Sequence, residues 1–251
     1  MTSGARQDSQ ANGGQHSMRH VDLHIIQGTA VQYPPADINI VIDVIRAFTV
    51  SHVAFLRGAR EIFLVNTLEE AFALRDRHPG YLLAGEVDGL PIAGFDLDNS
   101  PYTFSRADLA NQTLVQKTTN GVTATLLALN ADTILVTGLS NAKNAARYAR
   151  QIAAGMAHCR INVVASHASD DDDLACAAYI RDHLLGLNAV KLEDIQYRIK
   201  TSRPAQKFFD AGKPAFDARE LAFCTEEVSC DFVMQVDQRL PLPRIIKKQI
   251  A

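Results

Sequence analysis

The chain has 251 residues, 47% of them hydrophobic and 21% charged, so it is long enough to bury the core of one large domain or of two modest ones. Its net charge of -3 gives no global attraction to nucleic acid or to an anionic membrane, so an anion site must be built from a few local arginines and backbone amides. No run approaches the roughly 20 apolar residues that cross a bilayer, and the N-terminus lacks the pattern of a secretory signal. We therefore expect a cytoplasmic protein that binds neither nucleic acid nor membrane, with its four cysteines as buried free thiols.

The first 18 residues are rich in Gly, Ser, Gln and Asn and contain almost no large apolar side chains. Such a segment cannot bury enough surface to offset the entropy lost on ordering. We expect residues 1–18 to be a disordered leader. No linker or change of composition divides the remainder, so residues 19–251 are expected to form a single domain.

From residue 21 onward, short β-branched runs alternate with amphipathic helical patterns, which is typical of βα repeats. The sequence therefore predicts an α/β fold, a three-layer α/β/α arrangement with a mainly parallel or mixed sheet. Strands are predicted over residues 21–26, 38–42, 61–65, 81–84, 113–116, 133–136, 161–165 and 232–236. Helices are predicted over residues 47–57, 68–77, 122–129, 141–154, 173–184 and 217–223.

The first polar site candidate follows the second predicted strand. Asp43 comes directly after the apolar run 38–42, and Arg46 stands three residues later, where a helical pattern begins. Ligands of open α/β sheets bind outside the carboxyl ends of the strands, so this pair lies where a site is expected. The alternative is that Asp43 is only a helix N-cap and Arg46 a surface cation.

Residues 85–106 interrupt the βα rhythm with glycines, prolines and acidic residues. Long irregular segments in compact domains are usually functional or disordered. Embedded apolar side chains such as Phe95 and Tyr102 disfavour disorder, so we expect an ordered loop that carries polar groups over a site. Within it, Asp96 and Asp98 match the DxDx[ST] pattern of haloacid-dehalogenase-type phosphatases, but Pro91 and Gly94 argue against the central strand which that pattern requires.

Two further clusters stand beside predicted helices. Residues 118–121, Thr-Thr-Asn-Gly, lie at the mouth of the helix 122–129, where hydroxyls, an amide and free N–H groups can surround phosphate oxygens. The alternative for this cluster is a simple N-cap with a turn. The acidic run 170–173 either caps a helix or supplies oxygen ligands to a hard cation, and capping is favoured for the run as a whole. We expect these clusters to converge on one edge of the sheet.

Four segments taken in order, residues 41–47, 83–86, 94–101 and 118–121, resemble the 2-phosphosulfolactate phosphatase family. The similarity is continuous from about residue 38 to residue 144. The resemblance implies a Mg²⁺-dependent phosphohydrolase with an α/β fold, which converts 2-phosphosulfolactate, or a related small hydroxyacid ester, into 3-sulfolactate and phosphate. A small anionic phosphorylated substrate is then the expected partner, and Ala-rich helix faces fit packing inside a monomer or between subunits of a homo-oligomer.

The resemblance also suggests roles for individual residues. Asp43, Glu86 and Asp173 are expected to hold Mg²⁺, directly or through water. Asp43, Arg46 and Glu86 are the expected catalytic residues, with water as the attacking group. The expected substrate-binding residues are Asn99, Ser100, Thr118, Thr119, Asn120, Gly121 and Arg203.

Three positions depart from the family pattern. Phe48 and Val50 replace small hydroxyl residues, which predicts missing hydrogen-bond donors. Asp98 replaces a glycine and adds negative charge near a site for an anion. These departures favour an alternative function, that of a relative which binds small anions such as phosphate or sulfonate without catalysis.

Overall fold

The computed structural model of the chain describes residues 20–29 and 32–250. The expected disordered leader, residues 1–18, lies outside the described residues. Within the described ranges, no helix combines the length and apolar character that crossing a bilayer would require. A single domain over residues 19–251 stays a prediction.

The chain alternates strands and helices through most of its length. The strands are β1 Val21–Gln27, β2 Ala36–Ile42, β3 Glu61–Leu64, β4 Leu82–Val87, β5 Leu90–Pro91, β6 Thr113–Lys117, β7 Ala131–Thr137, β8 Cys159–Ala165, β9 Phe232–Asp237 and β10 Arg244–Gln249. The α-helices are α1 Ala47–Leu56, α2 Leu68–Arg77, α3 Pro101–Arg106, α4 Gly121–Leu127, α5 Ala142–Ala154, α6 Asp171–Leu185, α7 Leu192–Thr201, α8 Arg203–Gln206 and α9 Glu220–Thr225. Two 3-10 helices cover Leu139–Asn141 and Lys207–Phe209.

One mixed sheet contains these strands in the order β1-β8-β2-β7-β9-β10-β3-β6-β4-β5. The strands β1, β8, β2 and β7 are mutually parallel, and so are β3, β6 and β4. Between the two groups, β9 and β10 pair antiparallel with each other and with their outer neighbours β7 and β3. The two parallel groups therefore run in opposite directions across the β9–β10 hairpin.

Helices cover both faces of this sheet, which confirms the predicted three-layer α/β/α fold. Ile38, Ile40 and Ile42 of β2 belong to the apolar cluster that contains α5, α6 and α7. Val41 points to the opposite face and packs in the cluster that contains α1. This alternation follows from the two-residue period of a strand, and a central strand buried on both faces reads as a continuous apolar run.

Helix α1 is enclosed in the core, since every residue from Ala47 to Phe55 is buried. Its cluster includes side chains from β2 in one parallel group and from β3 and β6 in the other. A helix that is buried all round belongs to the interior rather than to a surface layer. Helix α1 therefore packs against both parallel groups, and Arg46 stands at its N-terminus.

Each of the predicted strands and helices overlaps an observed element. The sequence missed β5, β10, α3, α7 and α8, and it placed the start of the helix near residue 217 three residues too early, since α9 begins at Glu220. In β10 only Ile245 is buried, so the strand carries no run of apolar residues to reveal it. The proline of β5 lies at the outer edge of the sheet, where a missing N–H is tolerated.

Candidate functional site

A polar cavity of about 570 Å³ lies where β2, β4 and β6 end and where α6 begins. Its lining brings together eight of the predicted site residues: Asp43, Arg46, Glu86, Asn99, Thr119, Asn120, Asp173 and Arg203. The sequence predicted that the clusters would meet at one edge of the sheet, at the carboxyl ends of parallel strands. The strand ends at the cavity instead come from both parallel groups, since β2 belongs to one group and β4 and β6 to the other. Strand pairing alone therefore does not explain the convergence, which needs the packing of α1 against both groups.

Five buried carboxylates line the cavity. Asp170 pairs with Arg203, and we call the other four, Asp43, Glu86, Asp172 and Asp173, the carboxylate wall. Oδ1 of Asp43 accepts a hydrogen bond from the N–H of Ala47 at 2.8 Å, as the alternative of a helix-capping role predicts. The same side chain also lines the cavity, so capping does not exclude a role at the site. Asp173 accepts from the N–H of Val44 at 2.8 Å and from the Ser166 hydroxyl at 2.9 Å. These bonds fasten the start of α6 to the end of β2.

Asp172 is a site residue that the sequence analysis did not single out. It is 2% exposed, it lines the cavity, and its Oδ1 atom has no hydrogen-bond partner among the described residues. A buried carboxylate oxygen without a partner is costly unless a ligand or an ion satisfies it. Asp171 pairs with Arg198 outside the cavity, whereas Asp172 and Asp173 are buried, and a run of identical residues gives no signal that distinguishes them.

The carboxylate wall is electrostatically strained. Burial, followed by repulsion from Asp173, raises the pKa of Asp43 from 3.8 to about 8. Burial and the neighbouring Asp172 raise the pKa of Asp173 to about 8, while burial and Asp43 raise the pKa of Asp172 to about 7. Adjacent carboxyl groups cannot all ionise in a desolvated site unless a cation is shared between them.

Glu86 has a different environment from the three aspartates. Its Oε1 accepts from the N–H of Thr119 at 2.5 Å, and its Oε2 accepts from the Thr119 hydroxyl at 3.1 Å and from the N–H of Gly89. Glu86 thus joins the turn after β4 to the loop after β6. It fixes the position of the loop that carries Thr119 and Asn120 to the cavity.

Arg46 is buried and forms an ion pair with Glu220 of α9. Its Nη2 also donates to the carbonyl oxygen of Gly89 at 3.3 Å, and its guanidinium carbon lies 5.2 Å and 5.4 Å from the ring centroids of Phe208 and Phe216. The alternative interpretation of Arg46 as a surface cation is wrong. Burial raises the pKa of Glu220, while the charge of Arg46 acts against that rise.

The opposite side of the cavity is formed by residues 203–220, which we call the cap segment. It contributes Arg203, Lys207 and Lys213 to the lining. Arg203 donates to Asp170 at 3.0 Å and is 75% exposed, so this predicted substrate-binding residue is an ion-paired side chain at the rim. Cations of the cap segment therefore face the carboxylate wall across the cavity.

Three predicted substrate-binding residues, Ser100, Thr118 and Gly121, are not among the cavity-lining residues. Ser100 is the N-cap of α3 and accepts from the N–H of Thr103 at 3.3 Å. The Thr118 hydroxyl accepts from the N–H of Val122 at 3.0 Å and so satisfies one free N–H group in the first turn of α4, although Asn120 is the N-cap residue. Gly121 packs so closely that an added Cβ would lie 2.7 Å from Oδ2 of Asp43. These residues support the site from behind its surface.

The departures from the family pattern also lie outside the cavity lining. Phe48 and Val50 are fully buried in the core cluster around α1. The Asp98 carboxylate accepts a hydrogen bond from the N–H of Ser100 at 3.0 Å, so it binds the backbone of its own loop. Asp96 accepts from the N–H of Leu83 at 2.8 Å and does not line the cavity, so it is not placed as a phosphorylated nucleophile. The expected loss of donors and gain of charge at the site are therefore not seen.

The donor set suits a hard divalent cation, since carboxylate oxygens and water are the ligands that Mg²⁺ prefers. The unsatisfied Oδ1 of Asp172 and the raised pKa values of Asp43 and Asp173 fit such an ion. Across residues 20–29 and 32–250, however, no three His, Cys, Asp or Glu side chains are spaced as a preformed metal centre. Mg²⁺ commonly binds through one or two carboxylates and keeps several water ligands, which needs no such cluster.

Comparisons with known proteins identify the family of this chain. The sequence profile of 2-phosphosulpholactate phosphatases matches residues 24–239. A Bacillus subtilis protein named probable 2-phosphosulfolactate phosphatase is 52% identical over 223 residues, which cover 89% of this chain and 97% of the relative. Proteins of the same name from Deinococcus radiodurans and Thermus thermophilus are 37% and 36% identical, over 64% and 68% of this chain and 67% and 71% of their own lengths. The chain belongs to the 2-phosphosulpholactate phosphatase family.

Proposed function

We propose that the protein hydrolyses a phosphate monoester of a small sulfonated or carboxylated hydroxyacid in a reaction that depends on Mg²⁺. The name of the relatives suggests 2-phosphosulfolactate as the substrate, with 3-sulfolactate and phosphate as the products. The observation that carries the proposal is one cavity in which buried carboxylates face a buried arginine. A cytoplasmic location, a homo-oligomeric state, and the absence of nucleic-acid and membrane partners stay predictions from the sequence.

In this proposal, the carboxylate wall holds Mg²⁺ beside the phosphoryl group. Asp43 and Asp173 keep their expected roles, Asp172 joins them, and Glu86 contributes directly or through water. When bound, the ion supplies a Lewis acid at a phosphoryl oxygen. Glu86 additionally positions Thr119 and Asn120, whose polar groups line the same cavity.

Arg46 neutralises charge on the phosphoryl oxygens. One of its N–H groups serves Glu220 and another serves Gly89, so other N–H groups of its five remain for an anion. Its position on two aromatic rings limits its rotation and keeps the guanidinium at the cavity. Phosphoryl transfer needs mainly positioning and charge stabilisation, so direct attack by water is sufficient and no covalent nucleophile is required.

The test is a panel of phosphate monoesters assayed for phosphate release with Mg²⁺ and with EDTA. The proposal expects release from 2-phosphosulfolactate that is lost with EDTA and restored by added Mg²⁺. If sulfonates and phosphate raise the melting temperature while no ester is hydrolysed, the protein is instead a non-catalytic anion-binding relative. The structure favours the enzyme over that alternative, because Phe48, Val50 and Asp98 leave the cavity lining unchanged.

A further inference from the structure

Four lysine and arginine side chains line the cavity, and three of them have a carboxylate partner. Arg46 pairs with Glu220, Arg203 with Asp170, and Lys213 with Asp210 at 3.8 Å. The ammonium group of Lys207 has no ion pair and no hydrogen bond among the described residues. This difference singles out Lys207 among the cations of the cap segment, because all three of its N–H donors remain for an incoming anion.

The surroundings of Lys207 are partly apolar. It is half-buried, and its Nζ lies 4.6 Å from the ring centroid of Phe216 and 5.7 Å from that of Phe208. An added Cβ on Gly89 would lie 3.3 Å from the same Nζ, so the turn after β4 leaves only enough room for the ammonium group. Burial, followed by repulsion from Arg46, lowers the pKa of Lys207. A partly desolvated ammonium of this kind is stabilised when an anion binds beside it.

Lys207 and Arg46 lie on the same two aromatic rings, Phe208 and Phe216. Two cations that share one aromatic platform are close enough for both to contact one small molecule. The phosphate ester of a 2-hydroxyacid carries a carboxylate on the carbon next to the one that bears the phosphate, and 2-phosphosulfolactate also carries a sulfonate on the carbon at the other side. With the phosphoryl group at Arg46 and the carboxylate wall, one of these further anionic groups faces the cap segment.

We propose that Lys207 binds an anionic group that is not transferred, a sulfonate or carboxylate, and thereby selects phosphate esters that carry a further anionic group. This inference rests on the proposed function and deepens it by assigning a specificity residue. Lysine suits the role because a compact ammonium with three donors can follow a tetrahedral sulfonate as well as a planar carboxylate. Arginine at position 46 suits the two-point contact with the phosphoryl group.

The experiment compares the wild type with Lys207→Met on three substrates: 2-phosphosulfolactate, 2-phospholactate and isopropyl phosphate, which has no second anionic group. Loss of one charged hydrogen bond corresponds to a fall of about 10- to 100-fold in kcat/KM. We expect this fall, mainly through KM, for the two esters that carry a further anionic group, and a fall of less than about threefold for isopropyl phosphate. An equal fall for all three substrates would overturn the inference, because Lys207 would then serve the phosphoryl group.

Lys213→Met is the matched control, since Lys213 belongs to the same cap segment and lines the same cavity but pairs with Asp210. It should keep the substrate preference of the wild type. An identical loss of preference in both variants would mean that the cap segment acts through its total charge, and this also contradicts the inference. Melting temperatures of both variants show whether either change perturbs folding.

Phosphate release by the wild type alone shows whether the proposed function fails, independently of the role of Lys207. If the wild type releases no phosphate from any ester, titration calorimetry with 3-sulfolactate replaces the kinetic assay. Binding to the wild type and to Lys213→Met, with binding weakened about 10- to 100-fold in Lys207→Met, would support the role of Lys207 without catalysis. Equal affinity of all three proteins, or no binding by any of them, would reject it.

Discussion

The two sides of the cavity differ in how firmly they are held. The carboxylate wall stands on strand ends and on the first turn of α6, and Asp43, Asp173 and Glu86 accept hydrogen bonds from backbone N–H groups. The cap segment is built of short helices and turns, and its Arg203 and Lys213 side chains are more than half exposed. In the proposed function, the groups for phosphoryl transfer thus lie on the rigid scaffold, whereas Lys207, proposed to contact the rest of the substrate, lies on a more exposed connection.

Arg46 connects the two sides of the cavity. It is the N-cap residue of α1, and its side chain contacts Glu220 and two aromatic rings of the cap segment. If the proposed function holds, the contrast teaches that precise positioning is concentrated where bonds break, as preorganised catalysis requires. Adaptable contacts are left for recognition. Four predictions test this division.

The largest effect is expected at the Arg46–Glu220 ion pair, in which the two side chains are 5% and 3% exposed. Arg46→Met should lower the free energy of unfolding by about 3–5 kcal/mol, because it leaves a buried carboxylate without its partner. Urea denaturation measures the loss. The double variant Arg46→Met with Glu220→Leu should be less destabilised than the sum of the single variants. Strict additivity would show that the pair does not couple the cap segment to α1.

Asp43→Asn tests the rigid side of the cavity. The amide keeps an oxygen for the N–H of Ala47 but loses the charge, so the fold should persist while the turnover number falls by about 10²–10³-fold. Phosphate-release kinetics measure the effect. Asp98→Asn is the matched control, because its carboxylate binds the N–H of Ser100 outside the cavity lining. Turnover of Asp43→Asn at the wild-type rate would remove Asp43 from the mechanism.

Stability should depend on pH and Mg²⁺ through the carboxylate wall. In the metal-free protein, the pKa values of about 8 for Asp43 and Asp173 lie above the 3.8 of the unfolded chain. The folded state therefore binds more protons in this window, and its stability falls as pH rises towards 8. Between about pH 4 and pH 6.5 His52 acts in the opposite direction, because burial lowers its pKa from 6.5 to about 4 and the unfolded chain binds the extra proton there.

The measurement is the melting temperature at pH 6.5 and at pH 8.5 in EDTA, where each kcal/mol corresponds to about 2–4 °C. It should be lower at pH 8.5, and Mg²⁺ should restore it more at pH 8.5 than at pH 6.5. Asp172→Asn should flatten the pH dependence, since it removes one of the mutually repelling groups. A variant with the same slope as the wild type would show that these carboxyls are not coupled.

The smallest effects distinguish neighbouring threonines. Thr118→Val removes the acceptor for the N–H of Val122 and should cost about 1 kcal/mol of stability, with kcat/KM within twofold of the wild type. Thr119→Val removes a cavity-lining hydroxyl that donates to Glu86, so it should lower kcat/KM by about tenfold. Thermal melts and kinetics on both variants make the comparison. Reversed results would return Thr118 to the substrate site.

Much of the site was visible in the sequence because its residues follow apolar strand runs. Asp43, Glu86 and Thr119 stand at the ends of β2, β4 and β6, where polar side chains after a buried strand indicate a site. Ser100 and Thr118 lie outside the cavity lining, and the sequence could not show this, since hydroxyl residues at helix starts have the same local pattern whether they bind a ligand or cap a helix. The choice depends on which way the side chain faces.

Lys207, Glu220 and Asp172 show the other limit of sequence reasoning. Lys207 and Glu220 lie more than 150 positions from Arg46 in sequence, and nothing local indicates that they share its surroundings. Asp172 was hidden within a run of identical residues whose members face different directions. Long-range packing, which local propensity does not encode, selected these residues.

By itself, the sequence determined the alternation of strands and helices, the three-layer fold and the strand-end acids, because burial imposes periods of two and 3.6 residues on apolar side chains. Only the tertiary structure decided that two parallel groups run in opposite directions around the β9–β10 hairpin. It also decided that the cap segment closes over Arg46. These outcomes depend on contacts between distant segments, whose free energy is gained only when the whole chain packs.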